Sequence, residues 1–180
     1  QDINPDIFGS MIQAIVDTDM RGDLGMHYTS VPNIMKVLHP LLLMSLEEEL
    51  AEAHGHREER ARLKKLLKCI SKIRVFDPAC GSGNFLIIAY CELRKLEMRI
   101  YQREDELDSG QARHRFASCV SLSNFYGIEL ADFAAETAKL SLWIAEYQMN
   151  QKFKTLFGQS PPDFPLKEGG HITHGNALRM

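Results

Sequence analysis

The feature that most constrains the fold is a β-rich run that ends in a glycine loop and is followed by a helical pattern. Residues 73–77, IRVFD, form the β-rich run, residues 78–83 contain Gly81 and Gly83, and the helical pattern extends from Asn84 to about Tyr101. This order predicts a strand, a tight loop and a helix. Glycine permits positive φ and close approach to a ligand, and a loop of this kind lies where open α/β sheets bind ligands.

The rest of the chain continues the alternation of strands and helices. Residues 124–129 indicate a second strand that closes on Glu129, and residues 171–178 indicate a short strand and turn. Between them, residues 131–149 predict a helix with an inward-facing set: Phe133, Ala134, Ala138, Leu142, Trp143 and Ala145. We predict a polar surface segment over residues 102–118 and a proline- and glycine-rich loop over residues 159–170. The alternation favours an open parallel α/β sheet.

The N-terminal part predicts helices that pack against this sheet as an arm. Apolar residues recur at helical spacing over 5–17, and a second helix begins after a capping Ser30. That second helix is expected to reach Ala53, with Pro40 kinking or splitting it. Residues 54–65 are charged and predicted to be solvated, and a further apolar stripe spans residues 63–70. We therefore expect a helical segment over 1–70 and a ligand-binding domain over 71–180.

Composition excludes several classes of function. The net charge is −3, so bulk charge gives no sign of a nucleic-acid-binding surface. The four cysteines form no CxxC pair, which argues against a zinc site and favours reduced thiols of a cytoplasmic protein. His171 and His174 lack a third ligand, so no metal is expected. No apolar run is long enough to span a membrane, and no signal peptide is recognisable, so no membrane partner is expected.

The glycine loop departs from a dinucleotide fingerprint. The third glycine of GxGxxG would fall at Leu86, and the acid expected about 20 residues later would fall in a polar stretch rather than at a strand end. The acid that does end the next strand is Glu129. A nicotinamide or flavin enzyme is therefore disfavoured.

Four stretches resemble the cofactor motifs of amino-methyltransferases that act on adenine in DNA. Residues 77–86, DPACGSGNFL, resemble the first motif, and residues 25–30, GMHYTS, resemble the motif upstream of it. Residues 127–130, GIEL, and 175–178, GNAL, are similar to the second and third motifs. Residues 7–10, 29–34 and 140–146 are more specifically similar to the large single-chain restriction–modification enzymes of the MmeI kind. The resemblance implies a Rossmann-like methyltransferase fold that binds S-adenosyl-L-methionine.

The resemblance also implies a role for each motif residue. Asp77 and the loop Ala79, Cys80, Gly81 and Gly83, with Asn84, would face the methionine portion of the cofactor, over which Tyr28 and Thr29 would close. Glu129 would accept hydrogen bonds from the ribose hydroxyls, and Asn176 would bond the adenine ring. Phe85 and Ile128 would line the adenosine pocket. A plainer reading, with a purely structural role, stays open for each of these residues. Asp77 and Asn176 could be turn residues, and Glu129 could be a surface acid. Thr29 could cap a helix, and Tyr28, Phe85 and Ile128 could be core residues.

The catalytic loop of such enzymes is a polar residue, two prolines and an aromatic, which holds a flipped base. Residues 160–164, SPPDF, do not fit, because Asp163 stands at the aromatic position and the stretch precedes the third motif. We therefore expect the catalytic loop to lie just beyond Met180, double-stranded DNA to be bound through regions outside this fragment, and the fragment alone to be inactive. No catalytic residue is assigned here. The expected parent is an adenine-specific DNA methyltransferase of a bacterial restriction–modification or phage-defence system.

Three other functions remain open at this point. The same motifs occur in amino-methyltransferases that act on RNA or on proteins. A dinucleotide-binding oxidoreductase and a non-catalytic interaction domain on a methyltransferase-like fold are the alternatives from other classes. Binding of NAD in preference to S-adenosylhomocysteine would favour the oxidoreductase, and loss of all cofactor response in the full-length chain would favour the interaction domain.

Overall fold

In the part of the chain that the structure describes, three parallel strands form a sheet in which they neighbour one another in chain order. The computed structural model describes residues 29–108, 118–158 and 170–179. The strands are β1 (Val75–Asp77), β2 (Phe125–Glu129) and β3 (His171–His174). In register, Val75 pairs with Phe125 and Glu129 pairs with His174. The predicted open parallel α/β sheet is confirmed. The predicted helix over 5–17, Tyr28 and the stretch 160–164 lie outside the described residues.

The described residues include five α-helices: α1 (Val31–Leu38), α2 (Met44–Ala53), α3 (Glu59–Ile70), α4 (Asn84–Leu107) and α5 (Asp132–Phe157). A π-helical turn, His39–Leu43, joins α1 to α2, and a 3₁₀ turn, Leu122–Asn124, precedes β2. The kink or split predicted at Pro40 takes the form of this π-helical turn, because proline lacks the N–H that the α-helical hydrogen-bond pattern needs. The helix nonetheless reaches Ala53. Ser30 occupies the predicted N-cap position, but its side chain makes no capping hydrogen bond.

Several predicted boundaries were wrong because charged helical residues look like surface loop. Helix α4 continues past Tyr101 to Leu107, and α5 continues past Met149 to Phe157. Gly158, with φ of 72°, ends α5 in the left-handed conformation typical of a helix C-terminus. Helix α3 begins within the segment 54–65, which is mostly exposed as predicted, and Leu63 of the predicted apolar stripe is fully buried. Glu59 is buried against the expectation for this segment.

The core lies on one face of the sheet. Helices α4 and α5 pack against β2, and Val75, Phe125 and Ile172 point into this layer. The opposite face presents Phe76, which is 56% exposed, beside the stacked rings of Tyr126 and His171 at 4.9 Å. Parallel sheets are normally covered on both faces, so this face is suited to a further layer.

Helix α5 buries the predicted residues Ala134, Ala138, Leu142 and Ala145. The expectation for Phe133 was wrong, because its side chain is 62% exposed. The buried stripe begins one residue later, which turns Phe133 outward at the first turn of the helix. Trp143 is half-buried against the core.

A buried ion pair joins α4, α5 and the segment that enters β2. Arg94 and Glu97 are 1% and 0% exposed, and Arg94 Nε lies 3.1 Å from Glu97 Oε2. The Arg94 guanidinium also donates to Tyr90 Oη at 2.8 Å and to Asn150 Oδ1 at 3.1 Å. Glu97 accepts from Ser118 Oγ at 2.8 Å and from the backbone N–H of Cys119. The ion pair and these hydrogen bonds compensate the buried charges, although Arg94 Nε itself makes no hydrogen bond to the described residues.

Candidate functional site

The glycine loop lies at the carboxyl edge of the sheet, between the end of β1 and the start of α4. Gly81 and Gly83 have φ of 55° and 86°, values that residues other than glycine rarely adopt. Gly83 is the N-cap residue of α4. The N–H of Cys80 donates to the carbonyl of Ile128 at 3.0 Å, which ties the loop to β2. The sequence thus predicted both the loop and its place in the sheet.

Glu129 is bound to the glycine loop through its carboxylate. Oε2 accepts from Gly81 N–H at 2.8 Å, and Oε1 accepts from Ala131 N–H at 2.9 Å. The residue is only 7% exposed, so it is not the surface acid of the plainer reading. Each carboxylate oxygen can accept a second hydrogen bond. The acid therefore anchors the loop and retains acceptor capacity for a ligand at the strand end.

Asp77 and Cys80 lie in the electrostatic field of Glu129. Burial, with the Glu129 charge adding to it, raises the pKa of Asp77, although its Oδ1 accepts from Ala79 N–H at 3.1 Å. Burial also raises the pKa of the Cys80 thiol to about 12, helped by the charges of Asp77 and Glu129. Only a thiolate is strongly nucleophilic, so Cys80 is suited to packing rather than to covalent catalysis.

Two predicted site residues stand at the start of α4. Asn84 is 8% exposed, and its Oδ1 is buried without a hydrogen-bond partner among the residues that the structure describes. A buried acceptor without a donor is costly, so this oxygen is suited to a ligand or water donor beside the loop. Phe85 is half-buried against the core, as the plainer reading has it.

Close packing around the loop depends on glycines that the sequence analysis did not single out for this reason. A Cβ at Gly127 would lie 2.7 Å from Cys80 Sγ and 2.8 Å from Ile172 Cδ1. A Cβ at Gly83 would lie 3.1 Å from Ala138 Cβ on α5. By contrast, a Cβ at Gly81 would meet nothing within 4 Å, which leaves open space beside the loop. Gly127 could have been identified from its position in the second motif, two residues before the acid that ends β2.

The third motif reaches the same edge of the sheet. Gly175 N–H donates to the carbonyl of Glu129 at 2.8 Å. Asn176 Oδ1 accepts from Leu178 N–H at 3.0 Å, so the carboxamide oxygen closes a local turn. Its amide nitrogen is the group suited to a ligand. Leu130, Phe133 and Leu178 are 50%, 62% and 94% exposed and give the segments after β2 and β3 an apolar surface.

The remaining predicted residues are less closely connected to this site. Thr29 is exposed just before α1, which packs on α4. Ile128 is half-buried and pairs in register with Thr173. Within the described ranges there is no group of three or more His, Cys, Asp or Glu side chains that could hold a metal ion. The four cysteines are free, and no helix in these ranges is long and apolar enough to cross a membrane.

Comparisons with known proteins agree with this geometry. A solved structure of the type IIL restriction–modification enzyme MmeI in complex with DNA superposes with a TM-score of 0.89 and 37% identity, covering 99% of this chain and 23% of that one. DNA methyltransferase A of Bacillus subtilis is 51% identical over 179 residues, which are 99% of this chain and 20% of that protein. A candidate type II restriction enzyme and methyltransferase of Methanocaldococcus jannaschii is 32% identical over 170 residues, 80% of this chain and 14% of that protein.

The chain therefore spans about a fifth of the length of the Bacillus relative. The family model described as the MmeI DNA-methyltransferase domain matches residues 51–180, well over half of the chain. These residues include the glycine loop, Glu129 and the third motif. The chain belongs to the MmeI DNA-methyltransferase domain family.

Proposed function

We propose that this chain is the cofactor-binding part of a restriction–modification enzyme that transfers a methyl group from S-adenosyl-L-methionine to the exocyclic amine of adenine in DNA. The observation that carries the proposal is the hydrogen bond between Glu129 and Gly81, which joins the strand-end acid to the glycine loop in one site. The cofactor would supply an electrophilic methyl group on its sulfonium. The protein would bind and orient it.

The donor set fits the two ends of this cofactor. The methionine end carries an ammonium and a carboxylate, which call for acceptors and for N–H donors respectively. Asp77 and the free Asn84 Oδ1 provide acceptors, and the first turn of α4 provides N–H groups without helical partners. The open space beside Gly81 leaves room for this end to approach the backbone.

The nucleoside end would lie toward β2 and β3. Glu129 keeps acceptor capacity for the two ribose hydroxyls, and Asn176 retains an amide donor for the adenine ring. Leu130 follows Glu129 directly and Phe133 lies in the first turn of α5, and the exposed side chains of both offer apolar surface to the ring. In this arrangement Ile128, Phe85 and Cys80 support the site by packing. Tyr28 and Thr29 would close over the methionine end.

Methyl transfer by the full-length parent tests this proposal. The parent would be incubated with methyl-labelled cofactor and duplex DNA, and the nucleosides would then be separated after digestion. We expect the label on the exocyclic nitrogen of adenine, and we expect the 180-residue chain alone to transfer none. Label on RNA or on a protein amide would favour those substrates instead, and label on a cytosine would contradict the adenine assignment.

A further inference from the structure

Positive charge is concentrated in one short part of an acidic chain. Residues 57–74 contain eight Lys or Arg and two Glu, whereas the whole chain has 21 basic and 24 acidic residues. The rest of the chain is therefore strongly acidic. Such a surface repels a polyanion except where positive charge is gathered locally.

Helix α3 and the turn after it present these charges to solvent. Leu63, Leu66 and Ile70 are buried, which fixes the orientation of the helix. Lys64 and Lys68 lie one above the other, four residues apart on the opposite side, with Lys65 beside them. Lys72 follows in the turn. We call these four exposed residues the α3 lysine row.

Within the described ranges, the positive charges of the α3 lysine row are not compensated by acidic side chains. None of its four ammonium groups makes an ion pair or hydrogen bond with the residues that the structure describes. By contrast, Lys95 and Lys139 each lie 2.6 Å from a glutamate three residues earlier. Like charges four residues apart destabilise a helix. An anionic partner would remove that repulsion.

The chemistry of the row favours phosphate over a protein partner. Protein interfaces are depleted in lysine and enriched in aromatic residues at their core, and no aromatic residue lies among these lysines. Phosphate contacts need only cations spaced along the nucleic-acid backbone. A row from Lys64 to Lys72 spans about 12 Å, along which duplex DNA carries roughly seven phosphate charges.

The row lies away from the cofactor site. The carbonyl of Ser71, at the end of α3, accepts from Asn124 Nδ2 at 3.1 Å, at the amino end of β2. Glu129 and the glycine loop lie at the other end of that strand. DNA that contacts the row would therefore be a part of the duplex other than the methylated base.

We propose that the α3 lysine row binds the phosphate backbone of duplex DNA that flanks the methylated site. This inference rests on the proposed function, since it takes DNA as the substrate of the parent. The contact adds affinity that depends on salt and on the length of the flanking duplex, and it adds no sequence preference.

The test compares two double variants of the full-length parent. Lys64→Gln with Lys68→Gln removes two charges of the row. Lys95→Gln with Lys139→Gln removes two charges that glutamates already compensate. Affinity is measured for a short duplex limited to the methylated site and for a long duplex with flanking DNA, at several salt concentrations. Melting temperature and cofactor affinity report whether each variant is folded.

We expect the row variant to bind the long duplex about tenfold more weakly at low salt, with a salt slope reduced by about 2, and to bind the short duplex normally. The control variant should match the wild type on both. Equal long-duplex affinities and slopes for the two variants would overturn the inference. A row variant that loses melting temperature with an unchanged salt slope would also overturn it, and would favour an acidic protein surface. A parent that binds no DNA would instead refute the proposed function.

Discussion

At the scale of single residues, Glu129 links the conformation of the loop to the place where a ligand would bind. Its two oxygens accept from Gly81 and Ala131 N–H groups, so the acid holds the loop before any ligand arrives. Preorganised acceptors lower the cost of binding, because less has to be ordered when the ligand enters. The sequence predicted the ligand role of Glu129 by resemblance. Its anchoring of the loop could not be predicted in this way, because Gly81 and Glu129 are 48 residues apart.

Gly127 tests how tightly the loop and sheet are packed. We expect Gly127→Ala to reduce the free energy of unfolding by about 1–3 kcal/mol, because the new methyl group would overlap Cys80 Sγ and Ile172 Cδ1. Adding Cys80→Ala should recover part of this loss, since the sulfur is removed. Chemical denaturation of the two single variants and the double variant measures the coupling. Strictly additive losses would contradict the predicted overlap.

At the scale of elements, hydrophobic periodicity was enough to predict the three strands and the helices that separate them. It failed where charge and burial coincide. Charged residues such as Arg94 and Glu97 carry no apolar signal, so their burial could not be predicted from periodicity. They are partners of each other, and their further hydrogen bonds to Asn150 and Ser118 come from residues distant in sequence. Periodicity also could not decide whether Phe133, at the edge of the apolar stripe of α5, would be buried or exposed. The pairing of Glu129 with Gly81, 48 residues apart, is likewise a long-range contact.

The buried ion pair should show the asymmetry expected of paired charges. Glu97→Leu should cost roughly 3–5 kcal/mol of unfolding free energy, because it leaves the Arg94 charge buried without its counter-ion. Replacing both residues, with Arg94→Met added, should cost much less than Glu97→Leu alone. Urea titrations of the two variants against the wild type make the comparison. A double variant less stable than the single one would refute this account.

At the scale of the whole molecule, titration of buried carboxylates sets the dependence of stability on pH. The hydrogen bond from Arg103, helped by Gly55 N–H and opposed by burial, lowers the pKa of Glu59 from 4.5 to about 2. Glu59 therefore stabilises the fold above pH 4.5, and this contribution is lost as the pH falls through about 2. Burial raises the pKa of Asp77 and Glu146, so these groups act with the opposite sign and favour the fold as the pH falls.

Glu59→Gln separates the two effects, because Asp77 and Glu146 are common to both proteins. We expect the variant to be less stable than the wild type at neutral pH, and the difference to shrink between pH 4.5 and about 2. Unfolding free energies measured by denaturant at a series of pH values provide the test. A difference that stays constant over this range would show that the Glu59 pKa is not lowered by folding.

The most direct test of the central claim is the affinity of the full-length parent for S-adenosyl-L-methionine, measured by titration calorimetry with and without the Glu129 carboxylate. We predict that Glu129→Ala weakens binding by roughly 1.5–3 kcal/mol, or about 10- to 150-fold, as for loss of hydrogen bonds to a charged group. Glu136→Ala, on the exposed side of α5, should leave the affinity unchanged. Equal affinities for the wild type and Glu129→Ala would contradict the claim.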